Sequence, residues 1–181
     1  KTKNVRFLAL DGLMAALGVL LMFVLRVPLF PGVAPWLIYE MGDVPAIIAG
    51  LMAGPAHGVL VLLVICLVQL VTPMASGIYG LLMHFLASGL LVLIPALLWK
   101  RKKTNLNLVL GLVLGSVAMT LIMIPMNLII TPLFTNAPVE AVKALLLPAI
   151  IPFNLIKACL NSVISFVVFL ALKRVFKSKL N

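Results

Sequence analysis

Of 181 residues, 64% are hydrophobic and 10% charged, and the mean hydropathy is +1.29. A water-soluble fold of this length cannot hide so much apolar surface, so the composition indicates an integral membrane protein, read as one domain over residues 1–181 with short aqueous loops. The net charge of +10 does not point to nucleic acid: eleven of fourteen basic residues lie in three clusters (Lys1, Lys3 and Arg6; residues 100–103; Lys173, Arg174, Lys177 and Lys179), each against the end of an apolar run, as expected of cytoplasmic loops.

About 20 apolar residues cross the hydrocarbon core, and this length sets the spans. The first runs over about 7–27. Its basic flank resembles a signal peptide, but no small-x-small cleavage site follows, so it reads as a retained helix. "PLFPGVAPWLIYEMGD" then brings three prolines, two glycines and two acids, the composition of an ordered external loop. The apolar stretch 44–71 is interrupted by "AGPAHG", which predicts a short second helix over 43–53 and a third over 55–71. "TPMASG" is the next turn. A fourth span over 78–99 ends at "KRKK", and a fifth covers 106–130. "TPLFTNAPVEAVKALLLP" forms an external connection with a short helical piece, and a sixth span over 149–172 stops at the basic tail. Six spans with both termini inside put all three basic clusters on one side, whereas an odd number would split them. The expected fold is therefore all-α with six transmembrane helices.

Enzymatic chemistry finds little support. There is no GxxxxGK(S/T) phosphate loop, and neither His57 nor His84 comes with HExxH spacing or a carboxylate nearby in sequence. Ser88 and Ser162 lack the partners of a hydrolase triad. The four acids, Asp11, Glu40, Asp43 and Glu140, do not make a relay of paired carboxylates, and Asp11 is expected near the cytoplasmic end of the first helix. Cys66 and Cys159 read as small packing residues, and no metal or cofactor is expected.

The polar residues inside the spans are concentrated. Asn127 lies in "MIPMNLIITPLF". Asn154 and Lys157, three residues apart in "IIPFNLIKACLNS", share a helical face that Asn161 continues one turn deeper. With Trp36, Tyr39, Glu40 and Asp43 of "WLIYEMGD", and with His84, they form a candidate pocket open to the outside. Amide and ammonium groups there suit a small flat ligand whose edge alternates carbonyl and N–H, held between aliphatic walls. The competing reading is structural: the asparagines join helices, and Lys157 pairs with Glu40 or Asp43.

"GDVPAIIAGLMAGPAHGVL" resembles the (S/D)DxPxxxxGxxxGPxxG pattern of the S components of energy-coupling factor (ECF) transporters. "MIPMNLIITPLF" followed by "IIPFNLIKACLNS" is similar to the last two helices of the riboflavin-specific members. The resemblance covers nearly the whole chain. It implies that Asn127, Asn154 and Lys157 hold the polar edge of the isoalloxazine ring, with the loop from Trp36 to Asp43 over the pocket. That loop reads "LIYEMGD" where relatives often have "LTLDFSD", so backbone contacts are expected from it. Gly12 and Ala16, a small-xxx-small pair with Ala15 and Gly18 beside them, would dock a transmembrane coupling subunit, or else pack within the chain. Two partner ATP-binding subunits would supply ATP hydrolysis, and the loaded subunit would tilt in the membrane. The function implied is riboflavin capture at a bacterial cell membrane. Another vitamin such as pantothenate or folate, or an intramembrane structural role without ligand, are the alternatives.

Overall fold

Backbone N–H and C=O groups in hydrocarbon must be satisfied within their own segment, which makes each apolar run of this sequence a helix. The computed structural model describes residues 2–72 and 77–178, and side chains over 5–72 and 77–175. The turn expected at "TPMASG" lies mostly outside the described residues, as do the side chains of Lys1, Lys3, Lys177 and Lys179.

Helix α1 (Thr2–Val24) leads into a two-stranded antiparallel ribbon, β1 (Arg26–Pro28) with β2 (Ile38–Glu40), in the register Arg26↔Glu40, Val27↔Tyr39 and Pro28↔Ile38. The ribbon is an addition to the all-α expectation. Pro28 and the "PLFPG" run argue against a strand in a central position, but a two-stranded ribbon has only edges, where a missing N–H is tolerated.

Helix α2 (Asp43–Ala53) stops at Gly54, whose φ of 114° suits only glycine, and Pro55 occupies the first turn of α3 (Pro55–Leu70), where its missing N–H costs nothing. The two helices fold back on each other because Gly50 and Gly58 carry no side chains. A Cβ on Gly58 would lie 2.8 Å from the Gly50 Cα and 2.6 Å from Val92 Cγ1.

Helix α4 (Gly77–Arg101) is followed by α5 (Asn105–Thr135), whose N-cap Thr104 accepts a hydrogen bond from the Asn107 N–H at 3.3 Å. The pair meets where Gly111 faces the backbone of Pro95, 2.6 Å from the position of an added Cβ. After Asn136, left-handed at φ 55°, comes the short α6 (Val139–Leu145). A π-helical turn over Leu146–Ile150 accommodates Pro148, and α7 (Ile151–Ser178) completes the chain.

All six expected spans coincide with helices, and α6 is the short helical piece expected in the last external connection. Helices α1, α4, α5 and α7 are each long and apolar enough to cross a bilayer. At 11 and 16 residues, α2 and α3 rise about 16 and 24 Å and are shorter than the hydrocarbon thickness. The core, with Ile47, Leu62, Ile65, Leu91 and Leu108 fully buried, lies between α2, α3, α4 and α5, while Leu13, Leu20, Leu114 and Val163 point outward, as lipid contact requires.

Replacing Gly58 by valine pushes two methyl groups into the α2–α4 contact, and overpacking of this kind costs about 1–3 kcal/mol. Thermal unfolding of Gly58→Val in detergent is expected at a clearly lower midpoint than the parent; an unchanged midpoint would mean that the hairpin is not held by this close approach.

Candidate functional site

Asp43 opens α2, where the positive end of the helix dipole favours a carboxylate, and its side chain is completely buried. Three side chains donate to it: Ser88 Oγ at 2.9 Å, Asn161 Nδ2 at 3.1 Å and His84 Nε2 at 2.6 Å. The other ring nitrogen of His84 meets Gln69 Oε1 and lies 3.6 Å from Glu40 Oε1. Lys157 Nζ is 3.6 Å from Glu40 Oε1 and 3.8 Å from Asp43 Oδ2. One buried cluster thus ties together β2, α2, α3, α4 and α7.

Both nitrogens of His84 face acceptor oxygens, the arrangement of an imidazolium. Two carboxylates, an ammonium and this ring are held together in one cluster, where a charge left unpaired costs several kcal/mol.

Beside this cluster lies a cavity of about 120 Å³. Its polar wall includes Asn127, Asn154, Lys157, Glu40, His84 and Gln69, and its apolar wall includes Trp36, Met119, Met123, Phe134 and Phe153. Asn127 on α5 donates to the Met123 carbonyl at 2.8 Å and accepts from Thr131 at 3.0 Å. Asn154 on α7 donates to the Ile150 carbonyl, at the end of the preceding π-helical turn, at 2.8 Å. Its Oδ1 and the Trp36 Nε1 are buried with no hydrogen-bond partner among the described residues. These are one acceptor and one donor on residues that line the cavity, and a buried polar atom without a partner is costly.

Six of the nine candidate pocket residues, Trp36, Glu40, His84, Asn127, Asn154 and Lys157, line this one cavity. Tyr39, Asp43 and Asn161 are not among its lining residues and stand behind it. The Tyr39 hydroxyl donates to Asn161 Oδ1 at 3.1 Å, and burial pushes its phenol above the ordinary value, with Lys157 opposing. The sequence reading passed over Gln69, although an amide in the apolar run "CLVQLV" was a visible signal. It also found no carboxylate beside either histidine, which the structure corrects. His84 meets Asp43, and His57 Nδ1 meets Asp11 Oδ2 at 2.6 Å, both across more than 40 residues of chain.

On α1, Gly12 and Ala16 face outward, and nothing lies within 4 Å of a Cβ added to Gly12. Ala15 is 6% exposed and packs in the core, and Gly18 abuts Ile65 and Gly42. Helical rotation of about 100° per residue separates the two pairs: the first faces out, the second in.

Because three donors and an ammonium converge on Asp43, Asp43→Ala removes the centre of the cluster and leaves Lys157 and His84 underpaired. A loss of about 3–5 kcal/mol is expected, against about 1 kcal/mol for Ser88→Ala, which removes one hydrogen bond. Equilibrium denaturation of the two variants measures the difference; equal effects would show that Asp43 is not the centre.

The family model for "ECF transporter, substrate-specific component" matches residues 6–169. The chain is 34% identical to the riboflavin transporter FmnP of Bacillus subtilis (strain 168), over 80% of each chain. It is 28% identical to the riboflavin transporter RibU of Staphylococcus aureus (strain TCH60), over 97% of this chain and 94% of that one. A solved structure described as "Structure and mechanism of the S component of a bacterial ECF transporter" superposes with a TM-score of 0.83 at 26% identity, covering 96% of this chain and 99% of that one. A shared fold and a family model matched over residues 6–169 lead to one conclusion: this chain belongs to the family of ECF transporter substrate-specific components.

Proposed function

We propose that the chain is the riboflavin-binding subunit of an ECF transporter, taking up the vitamin at a bacterial cell membrane. The observation that carries this reading is a single cavity lined by Asn127, Asn154 and Lys157 together with Met119, Met123, Phe134 and Phe153. The edge of the isoalloxazine ring runs carbonyl, N–H, carbonyl. Asn154 Oδ1 has a free lone pair for the N–H, and Lys157 and the amide of Asn127 supply donors for the carbonyls. The names of the relatives point to the same ligand.

Two rearrangements accompany binding in this proposal. Enclosed sites for small molecules measure roughly 300–1,000 Å³, well above this cavity, so the Trp36–Glu40 segment moves outward to admit the ring. Lys157 turns its ammonium from Glu40 toward the ligand, which exchanges one favourable partner for another and moderates the net gain.

The orientation places both termini and the basic loop after α4 in the cytoplasm and the pocket outside, following the positive-inside rule. Gly12 and Ala16 form the surface for a transmembrane coupling subunit, since small outward residues allow close helix approach in lipid. Ala15, being buried, takes no part. Two ATP-binding partner subunits supply the energy.

A titration of the purified chain against a panel of B vitamins tests the ligand. Riboflavin is expected to bind, with quenching of its fluorescence, and saturable binding of pantothenate or folate instead would replace it. Asn154→Leu removes only a local bond to the adjoining π-helical turn, so its thermal midpoint should stay close to the parent's while affinity falls about three- to tenfold, the loss of one neutral hydrogen bond. Lys157→Met should lower affinity at least about tenfold. Its stability should also fall, because Glu40 and Asp43 lose their ammonium partner. Unchanged affinity in both variants would return these residues to a purely structural role.

Docking and binding occupy different faces, so Gly12→Leu and Ala16→Leu are expected to keep riboflavin affinity and lose uptake into cells. Variants that keep full uptake would remove Gly12 and Ala16 from the docking surface.

A further inference from the structure

Helices α5 and α7 enclose a second cavity, of about 360 Å³, on the outward face of the bundle. Val109, Val113 and Val117 form one wall, and Leu155, Val163 and Phe166 the other. Its floor holds Ser116 and Ser162, whose hydroxyls bond each other at 3.0 Å while Ser116 also donates to the Leu112 carbonyl, so the polar atoms there are satisfied internally. Nothing in the groove calls for water. An aliphatic chain suits it.

One turn beyond Val109 and Phe166, the same two helices form a different kind of pocket, lined by Asn105, Leu170, Lys173 and Arg174. The Lys173 ammonium is held 4.8 Å above the Trp99 ring. None of the four acidic residues of the chain lines this pocket, so its positive charge has no carboxylate within it. From Asn105 to Val117 the helix rises about 18 Å, close to the depth of one leaflet of an apolar core about 30 Å thick.

A basic pocket one helical turn from an apolar groove on the same two helices complements a molecule with an anionic head and a hydrocarbon tail. We propose that α5 and α7 hold one anionic phospholipid, its phosphate at Lys173 and Arg174 and one acyl chain along the Val113–Val163 groove. Free phosphate would use the first half of this site and leave the second unexplained. A zwitterionic lipid would use the groove without the charge, and basic residues at such a surface each favour an anionic headgroup. The lipid would join the ends of α5 and α7 beside Trp99, away from the polar cavity and from Gly12 and Ala16.

The test uses the full chain in nanodiscs of phosphatidylcholine, doped either with phosphatidylglycerol carrying a diazirine in one acyl chain or with the matching phosphatidylcholine probe. After photolysis, mass spectrometry locates the adducts. Phosphatidylglycerol is expected to label residues 109–117 and 155–166 about tenfold more than the choline probe. Lys173→Gln combined with Arg174→Gln should bring it down to the choline level. Val113→Trp, which fills the groove without altering the basic pair, should remove labelling there by both probes; should the double variant fail to fold, Arg174→Gln alone is read in the same assay. Equal labelling by the two probes, labelling spread evenly over α1 and α4, or phosphatidylglycerol labelling unchanged by the Lys173 and Arg174 substitutions would each overturn the site.

Discussion

A carboxylate with no exposure, inside a protein surrounded by hydrocarbon, obliges the elements around it to offer donors. Asp43 is that group. Its oxygens take a hydroxyl from α4, an imidazole from α4 and an amide from α7, with the Lys157 ammonium close by. The alternative, a bare carboxylate at this depth, is more expensive than any single packing contact in the bundle. The cluster therefore fixes where α4 and α7 stand against the start of α2, and with them the wall of the cavity. Glu40, the last residue of the ribbon, is drawn into the same cluster through Lys157 and His84, which anchors the ribbon beside the cavity.

The glycines make this convergence possible from the other side. The break at Gly54 and the contact of Gly50 with Gly58 fold α2 and α3 into a tight hairpin, and Gly58 also admits Val92 of α4. Asp43 at the far end of α2 is thereby carried to the level of His84 and Ser88. On the other flank, Gly111 brings α5 onto Pro95 of α4, which sets Met119, Met123 and Asn127 along the cavity. Absent side chains position the helices, and charged ones lock them.

The two readings of Lys157 weighed from the sequence, ligand contact and internal ion pair, turn out not to exclude each other. Lys157 lies near Glu40 and Asp43 and also lines the cavity beside Asn154 and Trp36, whose Oδ1 and Nε1 have no partner among the described residues. A cation with an internal partner can be kept in a membrane protein before a ligand arrives. The same cation, reaching the cavity wall, can exchange that partner for a ligand carbonyl at modest net cost. In the proposed binding mode the pair with Glu40 must be weakened first, which limits the affinity that Lys157 can add.

Several properties were legible in the sequence because they are local. Apolar run length marked the spans, and glycine with proline at 54 and 55 marked the helix break. Helical spacing put Asn154, Lys157 and Asn161 on one face, and Gly12 with Ala16 on another. The tertiary structure alone decided how these faces meet. It paired His84 with Asp43 and His57 with Asp11, put Tyr39 and Asp43 behind the cavity rather than on it, turned Ala15 inward, and gave the ordered loop after α1 a two-stranded ribbon. Each of these outcomes depends on how separate segments pack. The 3.6-residue period orients a side chain about its own helix axis but carries no information about which distant segment will face it.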